Sequence, residues 1–416
     1  MRHLLRSLVL GMVRLLGWPR ALLAARSAGQ RAMKEPARIL LVRPDHLGDL
    51  LLTTPALQAL RHQAPGAHIT LLVGPWSREI MARQPALDRL LTCTFPGFRR
   101  APQGLLAPYR LLVRTARELR RERYDLALNL RPDFWWGAAL LYLAGIPRRV
   151  GYALPQGRPF LTHALPLNVP EHAAVSNLRL VSAGLLLLGY QAPAEPFTPQ
   201  AYPAHFVPTA GERAWAQERL RAEGVADDTP LILLPPGSGG AVKLWRSQAW
   251  ASCANTLRAW LTSALPARIL LTGSPGERAL IEEIARDIPA GVVLITDATI
   301  GQLAALMERA VCVLTVDNGP GHLAVTRGTP GVHLFGPTDP RIFGPWGDPA
   351  RHIVLTSAQR CPGCPAFPCG RLDWAPAEVA AHPCVRVIAE ERVLKAARQL
   401  LFGSGEIPSG KLVQDI

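Results

Sequence analysis

Short apolar runs alternate along the chain with segments in which hydrophobic residues recur at helical spacing. In the first half, this pattern predicts strands at 39–42, 68–73 and 124–130, and helices at 50–61, 110–123, 135–143 and 175–188. In the second half, it predicts strands at 231–234, 268–271, 292–295, 313–316 and 332–335, and helices at 212–223, 250–261, 277–287, 300–310 and 386–402. Such alternation predicts parallel sheets covered by helices on both faces, and therefore an α/β fold.

The alternation is interrupted by a proline-rich stretch at 191–209, which is typical of a linker. We predict a first α/β domain at 36–190 and a second at 210–385, followed by the terminal helix and a tail at 403–416. At 416 residues the chain is long enough for both domains to have full cores. Open sheets of this class bind ligands at the carboxyl ends of their strands, so we expect a ligand cleft between the two domains.

Residues 1–35 are basic, and their leucines and arginines fall on opposite sides of a helical wheel. One interpretation is an amphipathic helix on an anionic membrane surface, and the other is a helix packed on the protein's own body. Arg14 interrupts the apolar stretch, which argues against a signal peptide. The sequence contains no run of about 18 apolar residues, so we expect no transmembrane helix. These features predict a cytoplasmic protein with reduced thiols, peripheral on the inner face of the cytoplasmic membrane if the helix binds there.

Basic residues outnumber acidic ones by 46 to 31, which gives a formal net charge of +15. This excess indicates an anionic partner, which is a phosphorylated ligand, an anionic membrane or nucleic acid. Nucleic acid is disfavoured because the sequence has no zinc-finger spacing, no aromatic RNP-like strand and no basic heptad region.

Glycine-containing turns between a predicted strand and a predicted helix carry the candidate chemistry, because backbone N–H groups and a helix N-terminus at one spot bind phosphate. The first turn, 43–49, ends in Asp49, which is either an N-cap or a general base. The second, 234–243, contains Ser238, Gly239 and Lys243, a composition that favours a phosphate cradle, and a plain loop is the alternative. It does not match the P-loop pattern, which excludes an ATP-hydrolysing site of that type.

Two further turns extend this set. The turn at 271–277 ends in Glu277, which either binds a ribose hydroxyl or favours the N-terminal turn of its helix. The turn at 317–322 contains Asp317, Gly319, Gly321 and His322, and it is followed after one more strand by another turn at 336–338. Several such turns, each with a reactive side chain, favour a phosphate-bearing ligand over mere connections.

Four of the seven cysteines, Cys361, Cys364, Cys369 and Cys384, follow the last of these turns. A Cys-x-x-Cys start is compatible with a structural zinc ion or an iron–sulfur cluster, but the other spacings match no standard site. Free thiols, or bridges that stabilise a loop, are the alternatives. We expect no catalytic metal at these residues.

Taken together, the motifs resemble the ADP-heptose:lipopolysaccharide heptosyltransferase family, glycosyltransferase family 9. They are Arg43-Pro-Asp-His-Leu-Gly-Asp49 with Thr54-Pro-Ala, Pro236-Gly-Ser-Gly-Gly240 with Lys243 and Trp245, Asp317-Asn-Gly-Pro-Gly-His322, Gly328-Thr-Pro330 and Phe335-Gly-Pro-Thr-Asp-Pro340. Their order and spacing carry the resemblance, which covers residues 37–395.

The resemblance implies a GT-B fold of two Rossmann-like domains, with the acceptor on the N-terminal domain and the nucleotide-sugar on the C-terminal one. It also implies a single inverting displacement that uses no metal or other cofactor. Asp49 matches the family's catalytic base, and Lys243 matches the lysine that contacts the donor diphosphate. The donor-binding positions that it implies are Ser238, Gly239, Glu277 (the ribose-binding acid), Asp317 and His322 (the donor-pocket pair), Gly319 and Gly321.

On this interpretation the chain transfers heptose from ADP-heptose to an anionic, lipid-linked oligosaccharide such as the lipopolysaccharide core. Arg99 and Arg100 are candidate contacts for acceptor phosphates. Trp135 and Trp136 either stack on a sugar or pack as part of a buried helix. Asn318 and Gly321 lie where members of the family vary, so they carry no information about the sugar. The alternatives are another nucleotide-sugar donor, a GT-B nucleotide-sugar epimerase that needs no acceptor, and a non-catalytic sugar-nucleotide binding protein.

Overall fold

The structure is a computed structural model, and it describes residues 11, 14, 15, 17–19, 36–98, 104, 106–261, 267–357, 360–362, 364, 368–375 and 377–403. The chain divides into two compact units, Met1–Tyr202 and Pro203–Ile416. Each unit contains a six-stranded parallel sheet whose strands are connected through helices. The predicted α/β class is therefore confirmed.

The first unit contains the strands Arg38–Arg43 (β1), His68–Val73 (β2), Arg89–Thr92 (β3), Leu126–Asn129 (β4), Arg148–Tyr152 (β5) and His163–Leu165 (β6), in the order β3-β2-β1-β4-β5-β6. Its helices are Leu47–Leu51 (α1), Thr54–Gln63 (α2), Arg78–Met81 (α3), Ala107–Arg121 (α4), Trp135–Leu143 (α5) and Ala173–Leu187 (α6). Short 3-10 turns lie at Pro75–Ser77 and Arg158–Phe160. Strand β1 is buried along most of its length because it has a partner on each side, β2 and β4.

The second unit contains the strands Leu231–Leu234 (β7), Arg268–Thr272 (β8), Val292–Ile295 (β9), Cys312–Val316 (β10), Gly331–Phe335 (β11) and His352–Thr356 (β12), in the order β12-β11-β10-β7-β8-β9. Its helices are Ala210–Ala222 (α7), Ser247–Leu261 (α8), Arg278–Arg286 (α9), Ile300–Arg309 (α10), Gly319–Arg327 (α11), Pro340–Phe343 (α12) and Glu390–Phe402 (α13). Short 3-10 turns lie at Ala241–Lys243, Pro275–Glu277 and Val379–Ala381.

Both sheets have the strand order 3-2-1-4-5-6 when the strands of each unit are counted from one. The chain leaves the first strand towards one edge of the sheet and returns with the fourth strand on its other side. The loops after these two strands therefore diverge and leave a crevice, which is where open α/β sheets bind ligands. The crevice lies between β1 and β4 in the first unit, and between β7 and β10 in the second.

Aromatic side chains fill part of the core of each unit. In the first unit, Phe95 packs edge to face against Phe134 and Trp136, with ring centroids 5.4 and 5.7 Å apart. Trp136 is buried, as the helix-packing interpretation requires, and its indole N–H donates to the carbonyl of Pro108 at 3.1 Å. In the second unit, Trp245 and Trp250 pack edge to face at 5.3 Å.

The predicted helix at 50–61 is wrong in one respect, because the structure has two helices there, α1 and α2. Pro55 is the reason, since it has no N–H to donate to the carbonyl of Leu51 in a continuous helix. The hydroxyl of Thr54 donates to that carbonyl instead, at 2.7 Å, and the hydroxyl of Thr53 donates to the carbonyl of Asp49 at 2.8 Å. The chain therefore turns between the two helices without leaving these carbonyls unpaired.

Four strands, β3, β5, β6 and β12, were not among the predictions. The least expected is β5, because it contains a buried arginine next to a second arginine, Arg148. The guanidinium of Arg149 donates to the carbonyls of Phe160, at 2.7 Å, and Ile146, which satisfies it inside the unit. Burial lowers the pKa of Arg149 to about 10.

Most of the predicted amphipathic segment at 1–35, the tail at 404–416, and both Arg99 and Arg100 lie outside the described residues. Of that segment, residues 17–19 are helical, and the hydroxyl of Tyr142 donates to the carbonyl of Arg14 at 2.9 Å. Leu15 and Trp18 are exposed, at 76% and 62%. In the described part of the segment, Arg14 thus contacts Tyr142 while the apolar side chains of Leu15 and Trp18 are exposed. Among the described residues, every helix is too short or too polar to cross a membrane.

Candidate functional site

The crevice of the first unit contains a buried carboxylate between two arginines. Arg43 ends β1, and its Nε lies 2.6 Å from Oδ2 of Asp45, whose side chain is only 3% exposed. Arg131 follows β4 and forms an ion pair with the other carboxylate oxygen of Asp45. Burial acts to lower the pKa of Arg131, but Asp45 and Asp133 outweigh it and raise that pKa above its ordinary value. A carboxylate this deeply buried is stable only because it is paired on both sides.

Asp49 lies beside this pair, in the first turn of α1. Its Oδ1 accepts from the guanidinium of Arg43 at 3.1 Å, and about a third of its side chain is exposed, 32%. The N-cap of α1 is His46, whose side chain makes no capping hydrogen bond. Asp49 therefore lies within the helix and is not its N-cap, which was the alternative interpretation. Since Arg43 also donates to the carbonyl of Leu130 at 2.9 Å, the group that orients Asp49 is itself held in place.

An aromatic surface adjoins these charges. Trp76 stacks on Phe98 with ring centroids 6.1 Å apart, and its indole N–H donates to the carbonyl of Asp45 at 3.0 Å. A concavity of about 370 Å³ lies next to Phe98. Flat aromatic faces beside charged groups are suited to carbohydrate, because the rings cover the apolar side of a sugar. The polar and aromatic side chains that line the concavity include Tyr109, Arg131, Asp133, Trp135 and Trp136.

The crevice of the second unit brings together Lys243, Asp317 and Thr338. The ammonium of Lys243 lies 2.7 Å from Oδ2 of Asp317, and both side chains are largely buried, at 15% and 8% exposed. The hydroxyl of Thr338 donates to the same oxygen. Lys243 follows β7, Asp317 follows β10 and Thr338 follows β11, so three neighbouring strands supply the cluster. Lys243 keeps two more N–H donors for a ligand.

Asn318 connects the two loops of this crevice. Its side-chain NH₂ donates to the carbonyls of Pro235, at 2.9 Å, and Gly237, at 2.7 Å. Its Oδ1 accepts from the N–H of Gly321 at 2.8 Å and from the hydroxyl of Thr315 at 2.9 Å. Asn318 therefore caps α11 and fixes the loop after β7 at the same time.

Two predicted donor-binding residues, Ser238 and Gly239, lie in the loop after β7. Ser238 lies near Asp317, whereas Gly239 lies at an open position. The hydroxyl of Ser238 is 3.5 Å from the carbonyl of Asp317, and a Cβ added to Gly239 would meet no atom within 4 Å. Gly237 differs, because its own Cβ would lie 1.9 Å from Oε1 of Glu277. The absence of a side chain at Gly237 thus lets the Glu277 carboxylate lie directly against this loop.

Glu277 stabilises the N-terminal turn of its helix, which was one of its two interpretations. Its Oε2 accepts from the N–H of Ser274 at 2.7 Å and from the hydroxyl of the same serine at 2.8 Å, which completes a capping box. This pairing occupies Oε2, while Oε1 faces Gly237. Capping and ribose binding are therefore compatible, because a glutamate that caps through one oxygen still presents the other oxygen to the loop after β7.

The turn after β10 places Gly319 at the start of α11 and His322 in its first turns, where His322 is buried. The N–H of Gly321 donates to Oδ1 of Asn318, so this amide already has a hydrogen-bond partner within the protein. His322 lies near His333 on β11, which in turn lies 3.4 Å from His352 on β12. Burial, His352 and His322 hold the pKa of His333 well below its usual range. His333 and His352 are therefore neutral packing partners at pH 7.

Sequence reasoning missed four residues that build the two crevices, Asp45, Arg131, Asn318 and Thr338. Asp45, Asn318 and Thr338 stand in the motifs quoted above, but a motif does not tell which backbone or side chain its members contact. Arg131 could have been found only from its position after a predicted strand, the feature that indicates the crevice edge in parallel sheets. Outside the two crevices, sequence reasoning also missed His382, which lies beside Cys361 and Cys364.

The chain is similar to known proteins over most of its length. The family model for glycosyltransferase family 9 (heptosyltransferase) matches residues 112–364. Lipopolysaccharide heptosyltransferase 3 of Escherichia coli K12 is 24% identical over 326 residues, covering 76% of this chain and 87% of that protein. The crystal structure of a family 9 glycosyltransferase from Veillonella parvula superposes with a TM-score of 0.71 and 26% identity, covering 90% of this chain and 100% of that one.

A second solved structure, the ADP-heptose lps heptosyltransferase II of E. coli, matches with a TM-score of 0.64 and 20% identity, over 88% of this chain and 98% of that one. This likeness shows the GT-B fold. Because the family model covers more than half of the chain, the protein belongs to glycosyltransferase family 9, the heptosyltransferase family. It is a glycosyltransferase, as predicted.

Proposed function

We propose that this chain is an inverting, metal-independent glycosyltransferase that transfers heptose from ADP-heptose to the lipopolysaccharide core or a similar lipid-linked oligosaccharide. The observation that carries the proposal is the Lys243 ammonium, held 2.7 Å from Asp317 at the crevice of the second unit beside a glycine-rich loop. The family supports the transfer of a heptose, and the likeness to the ADP-heptose lps heptosyltransferase II of E. coli supports ADP-heptose as the donor.

On the donor side, the leaving group is a diphosphate that gains negative charge as the glycosidic bond breaks. Asp317 accepts a hydrogen bond from one N–H of Lys243. The two remaining N–H groups of the ammonium donate to the phosphates and stabilise their negative charge. The N-terminus of α11 adds a positive potential at the same loop. Glu277 accepts a ribose hydroxyl through Oε1, since its other oxygen is engaged in the capping box.

On the acceptor side, Asp49 acts as the general base. It takes the proton of the acceptor hydroxyl while that oxygen attacks the anomeric carbon of heptose, and the bond to the diphosphate breaks with its electron pair remaining on ADP. Attack opposite the leaving group inverts the anomeric configuration. Arg43 is the positioning residue, because it binds Asp45 through Nε and Asp49 through a terminal nitrogen. The aromatic concavity beside Arg131 receives sugars of the acceptor.

The acceptor is lipid-linked, so we assign the protein to the anionic inner face of the cytoplasmic membrane. Helix α4 supports this assignment, because Arg110, Arg114 and Arg117 are exposed on it together with Val113. Exposed Trp18 adds an apolar side chain of the kind found at membrane interfaces. We expect the protein to co-sediment with vesicles containing phosphatidylglycerol, and not with phosphatidylcholine vesicles. Arg110→Gln combined with Arg117→Gln should weaken this binding, and salt should weaken it for the wild type.

The donor is tested by calorimetric titration of the full chain with ADP-, UDP- and GDP-sugars. We expect selective binding of ADP-heptose, lost or strongly weakened in Lys243→Ala. Lys395→Ala is the matched control, because Lys395 is an exposed lysine of the same unit. Preference for a UDP- or GDP-sugar would contradict the heptose donor. Release of an altered sugar nucleotide without an acceptor would indicate an epimerase instead, and the anomeric configuration of the product, read by NMR, tests inversion.

A further inference from the structure

Several potential metal ligands converge in the second unit, in the segment between β12 and α13. Cys361, Cys364 and His382 are buried, and their ligand atoms all lie within 4.8 Å of one another. The Sγ of Cys364 lies 3.2 Å from Nδ1 of His382. In a tetrahedral zinc site the ligand atoms are about 3.5–3.8 Å apart, because Zn–S and Zn–N bonds are about 2.3 and 2.0–2.1 Å long. The three side chains thus surround the space of one ion.

Two further thiols adjoin this group. The Sγ of Cys384 lies 4.0 Å from the carbonyl oxygen of His382, and Cys384 is buried in the same hydrophobic core as Cys361 and Cys364. Cys369 packs against this core. All of these cysteines are free, Cys384 being buried and Cys369 half-buried. Either of these two residues can therefore supply a fourth sulfur.

The imidazole of His382 is held in a fixed plane. Its ring stacks on Trp374 with centroids 3.5 Å apart and an interplanar angle of 23°, and the guanidinium of Arg371 lies over the Trp374 ring at 3.7 Å. The stack fixes the orientation in which Nδ1 faces Cys364. A metal-binding histidine generally needs such outer support, because its ring must keep one orientation.

We propose that Cys361, Cys364 and His382, with a fourth thiolate from Cys384 or Cys369, bind one thiophilic divalent cation of the zinc class. Each coordinating cysteine releases its proton to solvent, and His382 binds as the neutral imidazole through Nδ1, so no oxidant or reductant is required. Every position is taken by the protein in such a four-ligand site, which is the arrangement of structural ions, not catalytic ones. The proposal adds His382 to the four cysteines that the sequence offers as a candidate metal site.

The same segment packs against the loops that we assign to the donor. The N–H of Gly370 donates to the carbonyl of Pro337 at 2.7 Å, next to Thr338. A Cβ on Gly336 would lie 2.9 Å from the Sγ of Cys384, so the backbone of this turn rests directly on the cysteine cluster. We infer that the ion stiffens this segment and thereby positions Thr338 at Asp317. This last step rests on the proposed function, whereas metal binding itself does not.

Metal binding is tested on the full chain, purified under reducing conditions with an affinity tag that contains no histidine. We expect about one equivalent of zinc or iron by elemental mass spectrometry, and the visible absorption of tetrahedral thiolate coordination after replacement by Co²⁺. Either metal supports the site and identifies its ion. Less than about 0.2 equivalents, with no uptake of added Zn²⁺ by the reduced protein, would overturn the proposal. A disulfide within the cluster in freshly lysed cells would overturn it too.

Variants distinguish a specific site from adventitious binding. Cys361→Ala, Cys364→Ala and His382→Asn should each lose the metal and its cobalt spectrum. Cys253→Ala is the matched control, since Cys253 is a buried cysteine of the same unit outside the cluster, and it should retain about one equivalent. Cys369→Ala and Cys384→Ala identify the fourth ligand, because only one of them should change the cobalt spectrum. Full metal content in Cys361→Ala would contradict the assignment.

The link to the donor loops is tested separately. Removal of the ion by a chelator should weaken ADP binding by about 2- to 30-fold, the usual range for coupling through packed loops, and added Zn²⁺ should restore it. If the chelated protein binds ADP unchanged, the positioning role is wrong while the metal site stands. If the metal-loaded wild type binds no nucleotide at all, the proposed function fails instead. Metal content is measured without nucleotide, so the two failures are distinguishable.

Discussion

Lys243 and Asp317 come from loops that follow neighbouring strands and meet at 2.7 Å. Lys243→Ala should weaken donor binding by about 10- to 100-fold, since a charge-assisted hydrogen bond contributes about 1.5–3 kcal/mol. It should also destabilise the protein by about 3 kcal/mol, because it leaves Asp317 buried and unpaired. Calorimetry and urea unfolding measure the two effects.

The double variant Lys243→Ala with Asp317→Asn separates these effects. It should recover most of the lost free energy of unfolding, since no unpaired charge remains buried, but it should not recover donor affinity. Recovery of affinity in the double variant would mean that Lys243 acts only by neutralising Asp317. Lys395→Ala should change neither quantity.

Asp49→Asn should reduce kcat by about 10²- to 10⁴-fold, the usual contribution of a general base. The amide keeps an oxygen for Arg43, so neither the fold nor ADP binding should change. Glycosyl transfer at saturating donor, together with ADP calorimetry, measures the two quantities. Glu118→Gln, at an exposed carboxylate on α4, is the control. An active Asp49→Asn enzyme would assign the base elsewhere in the site.

Asn318 provides a third test, because its amide joins the loops after β7 and β10 through four hydrogen bonds. Asn318→Ala should destabilise the protein by about 1–3 kcal/mol, since the paired carbonyls and the Gly321 N–H lose their partner. Asn318→Asp retains an oxygen for Gly321 but directs a carboxylate at the carbonyls of Pro235 and Gly237.

We therefore expect Asn318→Asp to be no more stable than Asn318→Ala, although aspartate is an equally good N-cap residue. The free energy of unfolding from denaturant titrations gives the comparison. If the aspartate variant matched the wild type, capping alone would explain the residue, and the bridge between the loops would contribute nothing.

The protein should lose stability between pH 6.5 and pH 4. Burial lowers the pKa of His352 to about 4, with Arg351 adding to the effect and Asp348 opposing it, and His333 is lowered as well. The unfolded chain takes up these protons near pH 6.5 whereas the folded chain does not, so acid favours unfolding. The loss for His352 alone is about 2 kcal/mol at pH 5.

Urea unfolding at pH 7 and pH 5 measures this slope. His352→Asn should reduce the difference between the two pH values, even if it lowers stability at both. His62→Asn, at an exposed histidine of α2, should leave the difference unchanged. An equal pH dependence in His352→Asn and the wild type would contradict the argument.

The apolar runs predicted the central strands well, because a strand with neighbours on both sides has to be hydrophobic throughout. The limits of β2 and β7, which each have a strand on both sides, match their runs. The short strand β6 was missed since it lies at an edge of its sheet and is largely exposed. β5 was missed for another reason, because the buried Arg149 finds carbonyl partners that no periodicity indicates.

The site could be predicted as a set of turns but not as a set of contacts. Each turn has the glycines and charges of a phosphate loop, which local composition indicates. That Lys243 meets Asp317 depends on β10 returning beside β7, a property of strand order rather than of either turn. For the same reason the spacing of Cys361 and Cys364 gave no hint of His382, which a folded segment brings to them.

The contacts described around Lys243, Asp317, Asn318 and Thr338 are all made within residues 203–416. On the proposed function, recognition of the nucleotide-sugar is therefore encoded in one half of the gene, while the candidate base and the aromatic concavity are encoded in the other. Exchange of one half between relatives can then alter a single substrate at a time. Such modular inheritance gives a route to new saccharide linkages by recombination, and chimeric enzymes with a chosen donor half can be built on the same division at Tyr202 and Pro203.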